Sequence, residues 1–187
     1  MIWLADFLPL AEWALRQQDL RHRYLFAGSG AEVMSSPGIA CTLEAIITLA
    51  IYEAALGKGY IDGTTIGYEK PYPRSTGGNP KRADLAFKDR GKGKNWAYIE
   101  IKYYGSTGKQ WVQHDIEKLR TIKQRSQRWL FLYRVRPIAG RCMHLPDLIV
   151  RNFGGHLRIQ GQGTFVTVAD KENAPAMCEF CFARVEQ

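Results

Sequence analysis

Asp84, Glu100 and Lys102 are ionisable residues set in segments that otherwise read as buried strands. The segments are Arg82-Ala83-Asp84-Leu85-Ala86-Phe87 and Tyr98-Ile99-Glu100-Ile101-Lys102. Side chains alternate along a strand, so Glu100 and Lys102 share one face about 7 Å apart while Ile99 and Ile101 point into the core. An acid and a base side by side, joined by an acid from a neighbouring strand, can hold a divalent cation next to a nucleophilic water. That is the chemistry of metal-assisted phosphodiester hydrolysis. The plainer reading is an ordinary surface salt bridge between Glu100 and Lys102. Against it, the stretch from Tyr98 to Tyr104 is too apolar for an exposed edge strand.

A third acid is expected from the helix before these strands. Glu44 and Glu53 are nine residues apart, about 180° around a helix, so at most one faces the site. Glu44 sits among Leu43, Ile46 and Ile47, where an unpaired carboxylate is costly unless a metal or the lysine compensates it. Glu53 lies nearer Lys58 and can be solvated, so Glu44 is preferred; Glu69 on the first strand is a further alternative.

The elements that must position these residues follow from punctuation and periodicity. Residues 2–26 read as one or two helices, interrupted or restarted near Pro9, and Ala27 to Ser35 as a Gly/Ser loop. A helix from Ile39 to Leu56 follows, with Ser36 as cap, Pro37 in its first turn and Gly57 just past its end. It is apolar almost all round, which predicts burial on more than one side. Residues 60–73 read as one or two strands, Arg74 to Lys81 as a loop, and Lys88 to Asn95 as a basic turn between the Asp84 and Glu100 strands. Trp111/Val112, Ile116, Leu119 and Ile122 repeat at helical spacing, and Trp129 to Tyr133 is a buried strand. Beyond Pro137 the pattern weakens; His156 to Ile159, Phe165 to Val168 and Phe180 to Val185 are candidate strands of an added sheet. The order α-β-β-β-α-β predicts an α/β sandwich.

Asp84, the Glu100-Ile101-Lys102 tripeptide and the upstream helical Glu44 together resemble the active-site pattern of the PD-(D/E)XK nuclease superfamily, over roughly residues 37–135. Asp84 matches the first acid, Glu100 the second and Lys102 the lysine, while Ala83 stands where the name-giving proline would be. The resemblance implies a restriction-endonuclease-like αβββαβ core, a central mixed sheet flanked by helices. To that core this chain adds an N-terminal helical segment (1–30) and a β-rich C-terminal extension (137–187), all in one domain. Asp84 and Glu100, with Glu44, would coordinate Mg²⁺ or Mn²⁺, and the resemblance adds the backbone carbonyl of Ile101. Lys102 would orient or help deprotonate the attacking water, or offset charge on the phosphate. The implied activity is a metal-dependent nuclease, with DNA favoured over RNA. The alternatives are a non-catalytic nucleic-acid-binding or assembly protein on the same fold, or an RNA endonuclease.

Composition agrees with a nucleic-acid partner. The chain has 187 residues, 45% of them hydrophobic, enough for one domain with a full core. A formal net charge of +8 favours a polyanion, nucleic acid before membrane. From Lys109 to Arg136 there are eight Lys/Arg against two acids. Such a run can follow a phosphate backbone, with Arg82, Lys109, Lys118, Lys123 and Arg125 as contacts, or simply solvate a helix face. By resemblance the helical Gln113 is a further phosphate or water contact; the plainer and preferred reading is that Gln113 and Asp115, both near the site side, are ordinary exposed polar residues. No apolar run reaches membrane-span length. The start lacks the basic region of a signal peptide, and four cysteines demand no disulfide framework, so a cytoplasmic location is expected. Cys142, His144, Cys178 and Cys181 are a weak candidate zinc set. A homodimer or a larger complex is compatible with the sequence.

Overall fold

Leu130 to Tyr133 is apolar on both faces, as a strand covered from two sides must be. The computed structural model places it in β4 (Gln127–Pro137), inside a six-stranded mixed sheet. The structure describes residues 2–27, 44–62, 64–72, 81–89, 96–105, 107–122, 126–138, 142–168 and 175–186. The other strands are β1 (Thr64–Pro71), β2 (Arg82–Asp89), β3 (Ala97–Tyr103), β5 (Leu157–Val168) and β6 (Pro175–Val185). Their order is β1-β2-β3-β4-β6-β5, parallel only between β3 and β4. Helices α1 (Ile2–Ala27) and α2 (Glu44–Asp62) contribute to the core on one face, with α3 (Gly108–Arg120) and α4 (Leu145–Phe153) on the other. Among the described residues no helix is long and apolar enough to cross a membrane.

Each face has its own core. Phe7, Leu15, Ile47, Ile51, Ile99, Phe131 and Phe180 belong to the first, and Tyr98, Val112, Ile116, Leu130, Ile149 and Cys181 to the second. Neighbouring strand residues therefore go to opposite cores, as the two-residue period requires.

Several expectations are corrected. Helix α1 is continuous through Pro9. Burial of Phe7, Ala11, Ala14 and Leu15 on one stripe holds it together despite a proline cost of about 3 kcal/mol. Helix α2 does not stop at Gly57 but runs to Asp62. Nor is it buried on more than one side among the described residues: Ile47, Ala50, Ile51 and Ala55 are covered, while Ile46, Leu49 and Leu56 are exposed. Its expected start (Ser36, Pro37, Ile39), the Gly/Ser loop before it, and most of loops 74–81 and 88–95 lie outside the described residues.

The C-terminal part forms no added sheet. Strand β6 pairs antiparallel with β4 from Trp129–Arg184 to Pro137–Ala176, and β5 closes that edge. The two segments expected around 156–159 and 165–168 are one strand, kinked by a bulge between Ile159 and Gly161. A Cβ on Gly161 would meet Leu8 at 2.7 Å, and one on Gly163 would overlap the Phe180 ring. These glycines mark close packing onto the strand, not a break in it. Helix α4 was not anticipated, although Leu145, Ile149 and Phe153 form a buried stripe and Pro146 sits in its first turn.

A buried carboxylate anchors α4. Glu179 on β6 accepts from the backbone N–H of Leu145 (2.9 Å), pairs with Arg134 and Arg136 (2.7 Å each) and lies 2.7 Å from His144 Nδ1. Burial alone would raise the Glu179 pKa, but the bonds from Arg136, Arg134, His144 and Leu145 outweigh it and hold the carboxyl down at about 2. The negative charge also suits the positive end of the helix. Cys178 and Cys181 belong to opposite cores and Cys142 is exposed, so the candidate zinc ligands do not converge.

Candidate active site

The site forms where two strands part. Strand β2 pairs with β3 only as far as Leu85–Ile99, while its pairing with β1 continues to Arg82–Pro71. Beyond that fork the Asp84 side chain replaces the missing ladder contact: its Oδ2 accepts from the Ile101 backbone N–H at 2.7 Å. Ala83 and Leu85 contribute to opposite cores, so regular alternation breaks at Asp84. Across from it on β1, Glu69 has a φ of 45°, a backbone setting that costs a non-glycine residue energy and often marks functional sites.

Glu100 and Lys102 project from β3 on the side that α3 covers. Glu100 is 2% exposed. Its Oε1 accepts from the Tyr72 hydroxyl and lies 3.0 Å from Lys118 Nζ. Lys102 Nζ lies 2.5 Å from Glu44 Oε1 and 3.7 Å from Asp115 Oδ2. Glu44 Oε2 also accepts from the Tyr103 backbone N–H at 3.0 Å. Glu44 is thus the helical acid at the site, and Glu53 is exposed, as the half-turn between them requires.

Three partners had not been assigned to this centre. Asp115 was expected only near the site; it lies on the buried stripe of α3 with Val112, Ile116 and Leu119, and that spacing was its signal. It is 4% exposed, and its Oδ2 makes no hydrogen bond. Lys118, expected to contact substrate from the outer basic run, is turned inward. Tyr72 carried no sequence signal, because a loop separates it from β2.

The basic run does not form one exposed face among the described residues. Lys109 is exposed but half a helical turn from Lys118; Arg134 and Arg136 are committed to Glu179; Arg128 is buried. Gln113 bonds Glu117 at 2.9 Å. Lys123 and Arg125 lie outside the described residues. A cleft of about 390 Å³ opens on Asp84 instead, lined by Glu69, Lys81, Arg82, His114 and Lys118. Arg82 pairs with Glu69 at its rim, 3.3 Å apart, with both side chains about half exposed.

Four carboxylates (Glu44, Asp84, Glu100, Asp115) face two ammonium groups (Lys102, Lys118). Fully ionised, the cluster carries a net charge of −2 with both lysines in place. Burial, reinforced by the Asp84 charge, pushes the Glu100 carboxyl up to about 8. Burial pushes Asp84 up to about 6, against the lowering pull of the Ile101 N–H and Lys102. Tyr72 is raised far above its ordinary value by burial and by Glu100. Burial pulls Lys102 down, but Glu44, Asp115 and Asp84 outweigh it and hold the ammonium above the usual lysine pKa. The same contest, with Glu100 and Asp115 prevailing, raises Lys118.

No family model, curated protein or solved structure matches the chain. Among the described residues no three His, Cys, Asp or Glu side chains are arranged to hold a metal ion. The Lys118 ammonium stands between Glu100 and Asp115 instead, 3.0 and 3.5 Å from them. The donor set still fits a hard cation: oxygen ligands, a net negative charge, and a buried Asp115 oxygen without a hydrogen bond.

A pH dependence follows. Asp84 and Glu100 bind protons more tightly folded than unfolded, so their contribution to stability is complete below the ordinary carboxylate pKa. It is lost as pH rises through about 6 and then about 8. In chelator, the Tm should fall between pH 5 and pH 8.5, and Glu100→Gln should remove the upper part of that fall. A Tm that is flat or rises across the range in thermal melts refutes this electrostatic account.

Proposed function

We propose that this protein is a metal-dependent nuclease that hydrolyses phosphodiester bonds, with DNA as the favoured substrate, on a restriction-endonuclease-like core. The observation that carries this reading is the meeting of Asp84, Glu100 and Lys102 at the fork between β2 and β3, with Glu44 and Asp115 beside the lysine. The element order α2-β1-β2-β3-α3-β4 and the mixed sheet are consistent with it.

Asp84 and Glu100 would hold Mg²⁺ or Mn²⁺, with the Ile101 carbonyl as the further ligand that the resemblance implies; the chemistry supplied there would be activation of water and withdrawal of charge from the phosphate. Asp84 is oriented by the Ile101 N–H, and Tyr72 fixes Glu100. Lys102, kept protonated by Glu44 and Asp115, is suited to offsetting charge on the phosphate rather than to taking a proton from water. Glu44 acts through Lys102 and the Tyr103 backbone, holding both at the end of β3.

The test is relaxation of supercoiled plasmid DNA, with Mg²⁺, with Mn²⁺ and in chelator, for the natural chain and for Asp84→Asn. Metal-dependent cleavage by the natural chain and its loss in Asp84→Asn are expected, because the variant removes a carboxylate charge from the cation's ligand set. Binding of DNA without cleavage under any metal would identify a non-catalytic nucleic-acid-binding protein; cleavage confined to RNA would move the substrate class.

A further inference from the structure

Lys118 carries an inference that deepens the nuclease reading and rests on it. Its Nζ lies 3.0 Å from Glu100 Oε1 and 3.5 Å from Asp115 Oδ1, and its side chain is only 17% exposed. It also lines the cleft that opens on Asp84. Lysine rarely lies this far inside a protein without a compensating partner. Here it serves the same carboxylate that a divalent ion would need, and Tyr72 bonds that same oxygen.

We propose that Lys118 is a resident cation that occupies the place beside Glu100 and Asp115 until the divalent ion displaces it, and that the displaced ammonium then binds a substrate phosphate in the cleft. Two like charges cannot share the small space beside Glu100, since each would raise the energy of the other. An arriving metal therefore has to break the Lys118–Glu100 pair. A long four-carbon stem lets the lysine swing without moving the α3 backbone, and it already borders the cleft where a phosphate would enter. Metal and nucleic acid would then bind cooperatively, because each favours the same outward position of Lys118.

The test uses the full chain and Mn²⁺ binding followed by electron paramagnetic resonance, without nucleic acid. Lys118→Met should bind Mn²⁺ on the order of tenfold more tightly than the natural chain, because a competing charge is gone. A lysine with a purely structural role would give the opposite, since its loss would loosen the site. Lys118→Gln, which keeps a hydrogen-bond donor without the charge, should also bind Mn²⁺ more tightly, and it serves if the methionine variant fails to fold. In Ca²⁺, DNA affinity measured by fluorescence anisotropy should rise over chelator for the natural chain, and this gain should disappear in both variants. Unchanged or weaker Mn²⁺ binding in a folded variant overturns the proposal, even if the natural chain cuts DNA. If the natural chain binds no Mn²⁺ at all, the nuclease reading itself fails and the role of Lys118 with it.

Discussion

Lys102→Ala is expected to lower the single-turnover rate of DNA cleavage by about 10²–10³-fold, the usual cost of removing one preorganised group that stabilises transition-state charge. DNA affinity should stay close to that of the natural chain. Lys102 is four-fifths buried and already committed to Glu44 and Asp115, so it is not placed to dock a distant phosphate backbone. The change also leaves both carboxylates without their shared cation, so a modest fall in Tm should accompany the loss of rate. Glu44→Gln should give a smaller loss, because it acts on the rate only through the position and charge of Lys102. Quench-flow cleavage beside anisotropy titration separates the two effects. Lys102→Ala cutting at the natural rate in Mg²⁺ would mean that the fork is not the catalytic centre.

The second large effect concerns stability. Phe7→Ala should cost about 3–5 kcal/mol. Phe7 is 1% exposed, and its ring lies 4.7 Å from Phe182, 5.8 Å from Phe87 and 5.9 Å from Phe131, centroid to centroid. Trp129 in turn stacks on Phe182, 4.6 Å centroid to centroid, so the cavity would open inside an aromatic cluster that cannot easily collapse. On the same helix Trp13 is 54% exposed, and Trp13→Ala should change stability by less than about 1 kcal/mol. Urea unfolding measures both. Equal, small losses would show that α1 is an appendage and not a wall of the first core.

The readable part of the site was the part with a short-range signature. Asp84, Glu100 and Lys102 stood out because charge interrupted apolar strand patterns, and alternation placed Glu100 and Lys102 on one face. The choice of Glu44 over Glu53 came from helical phase and apolar neighbours, and both reflect geometry within a few residues. Asp115 was equally legible in principle, since an acid on the 112/115/116/119 stripe has to be buried. Lys118 was hidden among like charges: a count of basic residues cannot tell which one turns inward.

Local physics reached the elements more completely than their arrangement. Periods of two and 3.6 residues, with turn residues between them, sufficed for β2, β3, α3 and β4, because those periods belong to the backbone itself. They did not place β6 between β4 and β5, continue α1 through Pro9, or join the two halves of β5 across Gly161 and Gly163. Each of those outcomes depends on partners far along the chain: the open edge of β4, the aromatic cluster around Phe7, and the Leu8 and Phe180 side chains that fill the glycine gaps. Residue type and spacing are enough to mark the positions that carry charge where a core is expected. Which of those charges meet depends on where β2 leaves β3 and how α3 lies across the gap, and no local pattern encodes either.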